Sequence, residues 1–276
     1  MNAIRRKILI QDYLLKYLLV SFVFFLFWLY VITCKASEPV VQDGTKTIHV
    51  LVALCDNQHQ GIVKVPKAIG NGQDPGNNLY WGCSYGVRTY FKKSADWTEV
   101  AHFKIDSIKL ERIVLKYKKR QYYLVADAYN GKYIKQATVD LLNSCSGALK
   151  DSIIINGQRM GILGNAEVLA YIGHNGLMDF SLNGNYSNKD GNARQVIILA
   201  CASRQYFKNH IKNSGAIPLL WTTHLMAPEA YTLHDALSAY INGNSSTVVR
   251  DSAAAAYSKY QKCSIKAARN LLVTGY

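Results

Sequence analysis

The chain has no Cys-x-x-Cys pair and no cluster of cysteine with histidine, which excludes structural zinc held at the usual ligand spacing. It has no internal repeat and no low-complexity tract, so repeat arrays and disordered polar tracts are excluded. Ser203 sits in no Gly-x-Ser-x-Gly elbow; Ser84 has that spacing, in Gly82-Cys83-Ser84-Tyr85-Gly86, but follows the turn-rich loop 71–78 rather than the apolar strand a serine-hydrolase elbow requires. No arginine-rich helix or nucleic-acid module is present, and nucleic acid is not an expected partner. Acidic residues are scarce, 18 against 32 lysines and arginines, giving a formal charge of +14.

What is there is globular material. Hydrophobic residues make up 49% of the 276 and charged residues 18%, enough for one large domain or two small ones. Five positive residues against Asp12 in the first 36 leave +10 for the remainder. That excess suits a basic soluble surface, or attraction to anionic envelope polymers or acidic proteins.

The first 36 residues differ in kind. "RRK" at 5–7 precedes "YLLVSFVFFLFWLYVIT" at 17–33, a run of 17 residues without charge. This pattern reads as a signal peptide or signal anchor with its N-terminus inside, followed by one domain over 37–276. Cleavage after Ala36, lipidation at Cys34 and a retained anchor all place that domain outside the cytoplasm, periplasmic or extracellular or tethered to the membrane. Removing Cys34 leaves five cysteines, which allows two bridges and a free thiol or five free thiols.

Along the rest, continuous apolar runs alternate with helical spacing. "TIHVLVALCDN" (47–57), "YYLVADAY" (122–129), "EVLAYIGHNG" (167–176), "QVIILACAS" (195–203) and "AIPLLWTTHLM" (216–226) read as buried strands. Helices are expected through Cys83, Val87, Tyr90 and Phe91, from Ile134 to Cys145, from Pro228 to about Gly243, and over 248–272 with one break. The pattern predicts an α/β fold, a mainly parallel central sheet with helices on both faces. Ligands gather outside the carboxyl ends of such strands. Those ends carry Cys55-Asp56-Asn57, His174-Asn175-Gly176, Cys201 and Thr222-Thr223-His224. The segment 177–193 between the third and fourth strands shows no helix; its alternation suggests a hairpin.

A thiol and two imidazoles at one sheet edge suit nucleophilic catalysis. Cys201 precedes a segment, Ser203 to Lys212, that reads as a helix N-terminus, whose dipole favours an anion. Read singly, a strand-end cysteine is a core filler and a histidine in a Gly/Asn turn is unremarkable. Asp56, His59 and His174 are three scattered ligands with no metal-site spacing, and no cofactor or metal is expected. Asp56, Asn57, His224 and Glu229 are the candidates for a substrate pocket, the two carboxylates suited to a basic side chain.

Together, "LAYIGHNG" and "VIILACAS" resemble the caspase-like superfamily of cysteine peptidases, the group with legumains, gingipains and separases. Its members carry one hydrophobic block ending in His-Gly and a second ending in Ala-Cys. The resemblance covers about 165–205 and implies a caspase-like fold, a protein or peptide substrate, His174 as catalytic histidine and Cys201 as nucleophile. It also implies an oxyanion-hole donor directly after the histidine, which falls on Asn175, with Gly176 one step later. Caspases proper show Gln-Ala-Cys-x-Gly with the histidine about 50 residues upstream. This chain has Leu199-Ala200-Cys201-Ala202-Ser203 with His174 27 residues upstream, and so is not a caspase proper. Two readings follow: an exported or membrane-anchored cysteine endopeptidase with a Cys-His dyad, or a non-catalytic relative whose basic surface binds an envelope polymer or partner.

Overall fold

Eight strands form one sheet in the order β10-β9-β8-β7-β1-β4-β3-β2 in the computed structural model, which describes residues 16–24 and 45–276. The chain divides into two units, Met1–Val40 and Val41–Tyr276. In the first, 16–24 are helical (α1); most of the uncharged run, Cys34, and Ala36 with the expected boundary after it lie outside the described residues. Among the described residues no helix is long and apolar enough to cross a membrane.

Five strands are parallel: β4 (Tyr122–Tyr129), β1 (Lys46–Ala53), β7 (Val168–Ile172), β8 (Gln195–Leu199) and β9 (Ile217–Thr222). Their near-continuous apolar sequences follow from burial on both faces. Along β1, Ile48, Val50 and Val52 enter one core while Leu51 and Ala53 enter the other. The first core is closed by α2 (Val87–Lys93), α5 (Ala230–Ile241), α6 (Ser246–Gln261) and α7 (Ile265–Leu271). The second is closed by α3 (Ile134–Cys145) and α4 (Ser203–Ser214). From β1 the chain runs to the far edge of the sheet, returns inward to β4 beside β1, then crosses to β7, β8 and β9 on the other side. The strand order therefore reverses between β1 and β7, the place where open α/β sheets form a crevice beyond their carboxyl ends.

Antiparallel strands extend both edges. β3 (Lys109–Tyr117) and β2 (Trp97–Lys104) continue the sheet beyond β4, and the short β10 (Leu272–Val273) pairs with β9. β2 has no clean alternation because it is an edge strand, largely exposed and bulged between Glu99 and Ala101. A separate hairpin, β5 (Lys150–Ile155) and β6 (Gln158–Leu163), turns at Asn156-Gly157 with φ of 51° and 77°. Its Met160, Ile162 and Leu163 cover Val114, Tyr123 and Val125.

The segment between β7 and β8 is not the expected hairpin. After a 3-10 turn at Gly176–Met178 it runs without regular structure, yet β7 and β8 stay parallel. Buried Tyr186, with Phe180 and Leu182, covers the second core where a crossover helix would otherwise pack. The last helical stretch breaks at Lys262, which is left-handed with φ of 54°. All five described cysteines, Cys55, Cys83, Cys145, Cys201 and Cys263, are free thiols.

Candidate active site

The join from β8 into α4 is a sharp, pinned turn. Ala200 is fully buried, Cys201 half-buried, and Ala202 left-handed at φ 47° without being glycine. Such a conformation persists only where neighbours over-determine it. Here the Ala202 N–H donates to the His224 carbonyl at 2.8 Å, and the Ser203 hydroxyl donates to the Ile198 carbonyl at 2.8 Å. The Thr222 hydroxyl accepts from the Ser203 N–H at 3.1 Å. The thiol is thus held at the lip of the sheet, at the positive end of α4, whose first turn has no acidic residue. Its Sγ accepts from the Met226 N–H at 3.4 Å and lies 3.6 Å from the Met226 carbonyl.

His174 stands on the neighbouring strand end. Gly173 before it, φ 151°, passes so near β1 that a Cβ would meet the Ala53 oxygen at 2.8 Å. The Tyr171 hydroxyl donates to the His174 carbonyl at 2.8 Å. The ring Nε2 is 2.8 Å from Asp179 Oδ2, which also accepts the Gly61 N–H at 3.0 Å. With Nε2 engaged, Nδ1 is the nitrogen left to exchange a proton. Asp179 is a residue that sequence reasoning did not single out. It lies five positions beyond the histidine in an irregular segment, where no periodicity marks it.

His174 and Cys201 line one cavity of about 390 Å³, with Gly173 and Tyr80 beside them and aliphatic side chains around them. They are not hydrogen-bonded to each other; the cavity space lies against both. Tyr80 is almost wholly buried, and burial pushes its phenol well above the usual range, so it stays a hydroxyl. Two of the other thiols, Cys55 and Cys145, are fully buried. Burial pushes Cys55 up to about 11, against the opposing effect of the Tyr80 hydroxyl, and Cys145 up to about 12.

The other sequence candidates fall elsewhere. Asn175, on which the resemblance places the oxyanion-hole N–H, takes φ of −78°. The reason is a bracing role: its side-chain oxygen accepts the Leu177 N–H and caps the 3-10 turn, while its amide donates to the Cys201 carbonyl at 2.7 Å. Asn175 and Gly176 are buried and are not among the residues lining the cavity. Asp56 and Asn57 line a separate polar cavity of about 640 Å³. The Asp56 carboxylate is held by the Gln58 N–H, His59 Nδ1 and Gln73 Nε2, which keep it below the usual range although burial opposes this. His224 is exposed, its Nδ1 beside the Thr223 hydroxyl. Glu229 accepts from the Tyr231 hydroxyl and Gln261, and burial raises its carboxyl. None of these four lines the cavity of His174 and Cys201. Strand-end position fixes where a residue starts but not where its side chain finds partners.

Among the described residues no group of three histidine, cysteine or acidic side chains is placed to hold a metal. No family model, no curated protein and no solved structure matches the chain.

Proposed function

We propose that the chain is a caspase-like cysteine peptidase, exported or membrane-anchored through its N-terminal segment, with Cys201 as nucleophile and His174 as proton donor and acceptor. The observation that carries this reading is the shared cavity. A thiol at a helix N-terminus and a carboxylate-oriented imidazole, from adjacent strand ends, face the same space of about 390 Å³.

In the first step the Cys201 sulfur, as thiolate, attacks a peptide carbonyl carbon; the S–C bond forms and the C–N bond breaks. The departing amine takes its proton from protonated His174. Because the imidazole does not bond the thiol directly, its place is on the leaving-group side. Water then attacks the thioester carbon, neutral His174 takes one water proton, the C–S bond breaks, and the Cys201 thiolate and protonated His174 are regenerated as the carboxylic acid departs. Asp179 holds the ring orientation throughout both steps, as the third member of a nucleophile–base–orienter set.

The test is turnover of a random peptide mixture, followed by mass spectrometry of new termini. The purified protein should generate new termini, and Cys201→Ala and His174→Ala should not. Termini appearing equally with Cys201→Ala would remove the peptidase reading. Their absence from all three proteins would leave a partner-binding module on the same fold.

A further inference from the structure

The walls of the His174–Cys201 cavity carry no lysine, arginine, aspartate or glutamate. They include Ile62, Val63, Val65, Met178, Leu225 and Met226. Three of these are held out in water: Val63 is 92% exposed, Leu225 71% and Met178 41%. Large apolar side chains gathered around a mouth are a recognition surface rather than a core remnant.

The wall is also built rather than loose. The Asn57 side chain clamps Val65 through both its N–H, at 3.0 Å, and its carbonyl, at 2.8 Å. Gly61, which opens the same loop, gives its N–H to the Asp179 oxygen that bonds His174. A Cβ on Gly61 would meet that carboxylate at 2.3 Å, so a larger residue would push Asp179 aside. One carboxylate therefore ties the apolar wall to the imidazole.

We infer that the site selects peptides by an apolar side chain on the residue whose carbonyl Cys201 attacks. This inference rests on the peptidase reading above. A carboxylate or guanidinium entering these walls would lose water without gaining a partner, whereas an aliphatic or aromatic side chain gains from burial. The nearby carboxylates are engaged elsewhere: Asp179 by His174 and the Gly61 N–H, Glu229 by Tyr231 and Gln261, and Asp56, in the other cavity, on both oxygens.

The experiment has a kinetic and a binding arm. Acetylated tetrapeptide coumarin amides ending in leucine, phenylalanine, aspartate or arginine are compared by kcat/KM. The same peptides, as fluorescently labelled acids, are titrated against Cys201→Ala protein by anisotropy. Leucine or phenylalanine should exceed aspartate and arginine by about 100-fold or more in kcat/KM, within what a pocket achieves by apolar selection plus rejection of charge. The binding arm should show the same order. In Val63→Asp/Leu225→Asp, both at exposed positions, the leucine-to-arginine ratio should fall about tenfold or more. Cleavage that favours aspartate or arginine would overturn the inference while leaving the peptidase reading intact. Apolar-selective binding without any turnover would uphold the recognition surface and remove the peptidase. Binding and turnover indifferent to the side chain would overturn the inference.

Discussion

Of the histidines that bond a carboxylate, His49 and His174 have opposite settings. His49 on β1 and Asp127 on β4 are both fully buried, with Nε2 3.1 Å from Oδ2. The same imidazole accepts the Leu163 N–H on Nδ1 at 3.0 Å, and Arg112 closes on Asp127 with bonds of 2.6 and 2.8 Å. Both ring nitrogens are engaged and both side chains are fully buried, so the group holds strands together. His174 has the same kind of partner at 2.8 Å, but one nitrogen is left over and the ring lines a cavity that also contains a thiol. A carboxylate beside an imidazole is therefore not a catalytic signature. An unengaged nitrogen and a thiol lining the same cavity are what separate the two.

The largest expected effect breaks the second pair while sparing the first. His174→Ala should lower kcat/KM on any cleaved peptide by about 100- to 10,000-fold, with the urea midpoint scarcely moved. The reverse is expected of the buried pair. Asp127→Ala leaves Arg112 without its carboxylate and should cost about 3–5 kcal/mol of stability, read by urea denaturation. Peptide turnover by the fraction still folded should be unchanged.

The acid limb sharpens this contrast. Although burial opposes ionisation, Arg112 and His49 hold the Asp127 carboxyl well below its usual range. A depressed carboxyl stabilises the fold fully above its unfolded value of about 3.9 and loses that contribution as pH falls below it. The urea midpoint of the parent should thus drop below about pH 4, and that of Asp127→Asn should be flatter there.

Asp179→Asn comes next in size. A hydrogen bond to a charged group is worth about 1.5–3 kcal/mol, so kcat should fall about 10- to 100-fold. The smallest effect belongs to Asn175→Gly. It removes the cap on Leu177 and the bond to the Cys201 carbonyl, and should lower stability by about 1–2 kcal/mol. Asn175→Asp keeps the cap alone and should fall between.

Much of this was legible in the sequence, for a physical reason. Strands buried on both faces read as unbroken apolar runs, and β1, β4, β7, β8 and β9 stand where such runs do. Helix α3 begins and ends where its spacing and Gly147 indicate. Edge and surface elements were not legible. β2 is half-exposed, and β5 and β6 were missed although Asn156-Gly157 is a strong hairpin signal. At the site, strand ends located His174 and Cys201 because topology alone brings β7 and β8 side by side. Asp179, the loop with Val63 and the bracing by Asn175 depend on irregular chain paths, which carry no periodicity. Asp56 and Glu229 misled for the same reason: their partners come from distant loops.

The central claim is that Cys201 is a nucleophile presented to substrate, and differential labelling tests it most directly. The folded protein is treated with a limiting amount of an acetyl-leucyl chloromethyl ketone, digested, and mapped by mass spectrometry across all cysteines. The account predicts adducts concentrated on Cys201, lost in His174→Ala or after unfolding in urea, with Cys55 and Cys145 unlabelled while folded. Labelling spread over the half-buried Cys83 and Cys263, or absent from Cys201, would contradict it.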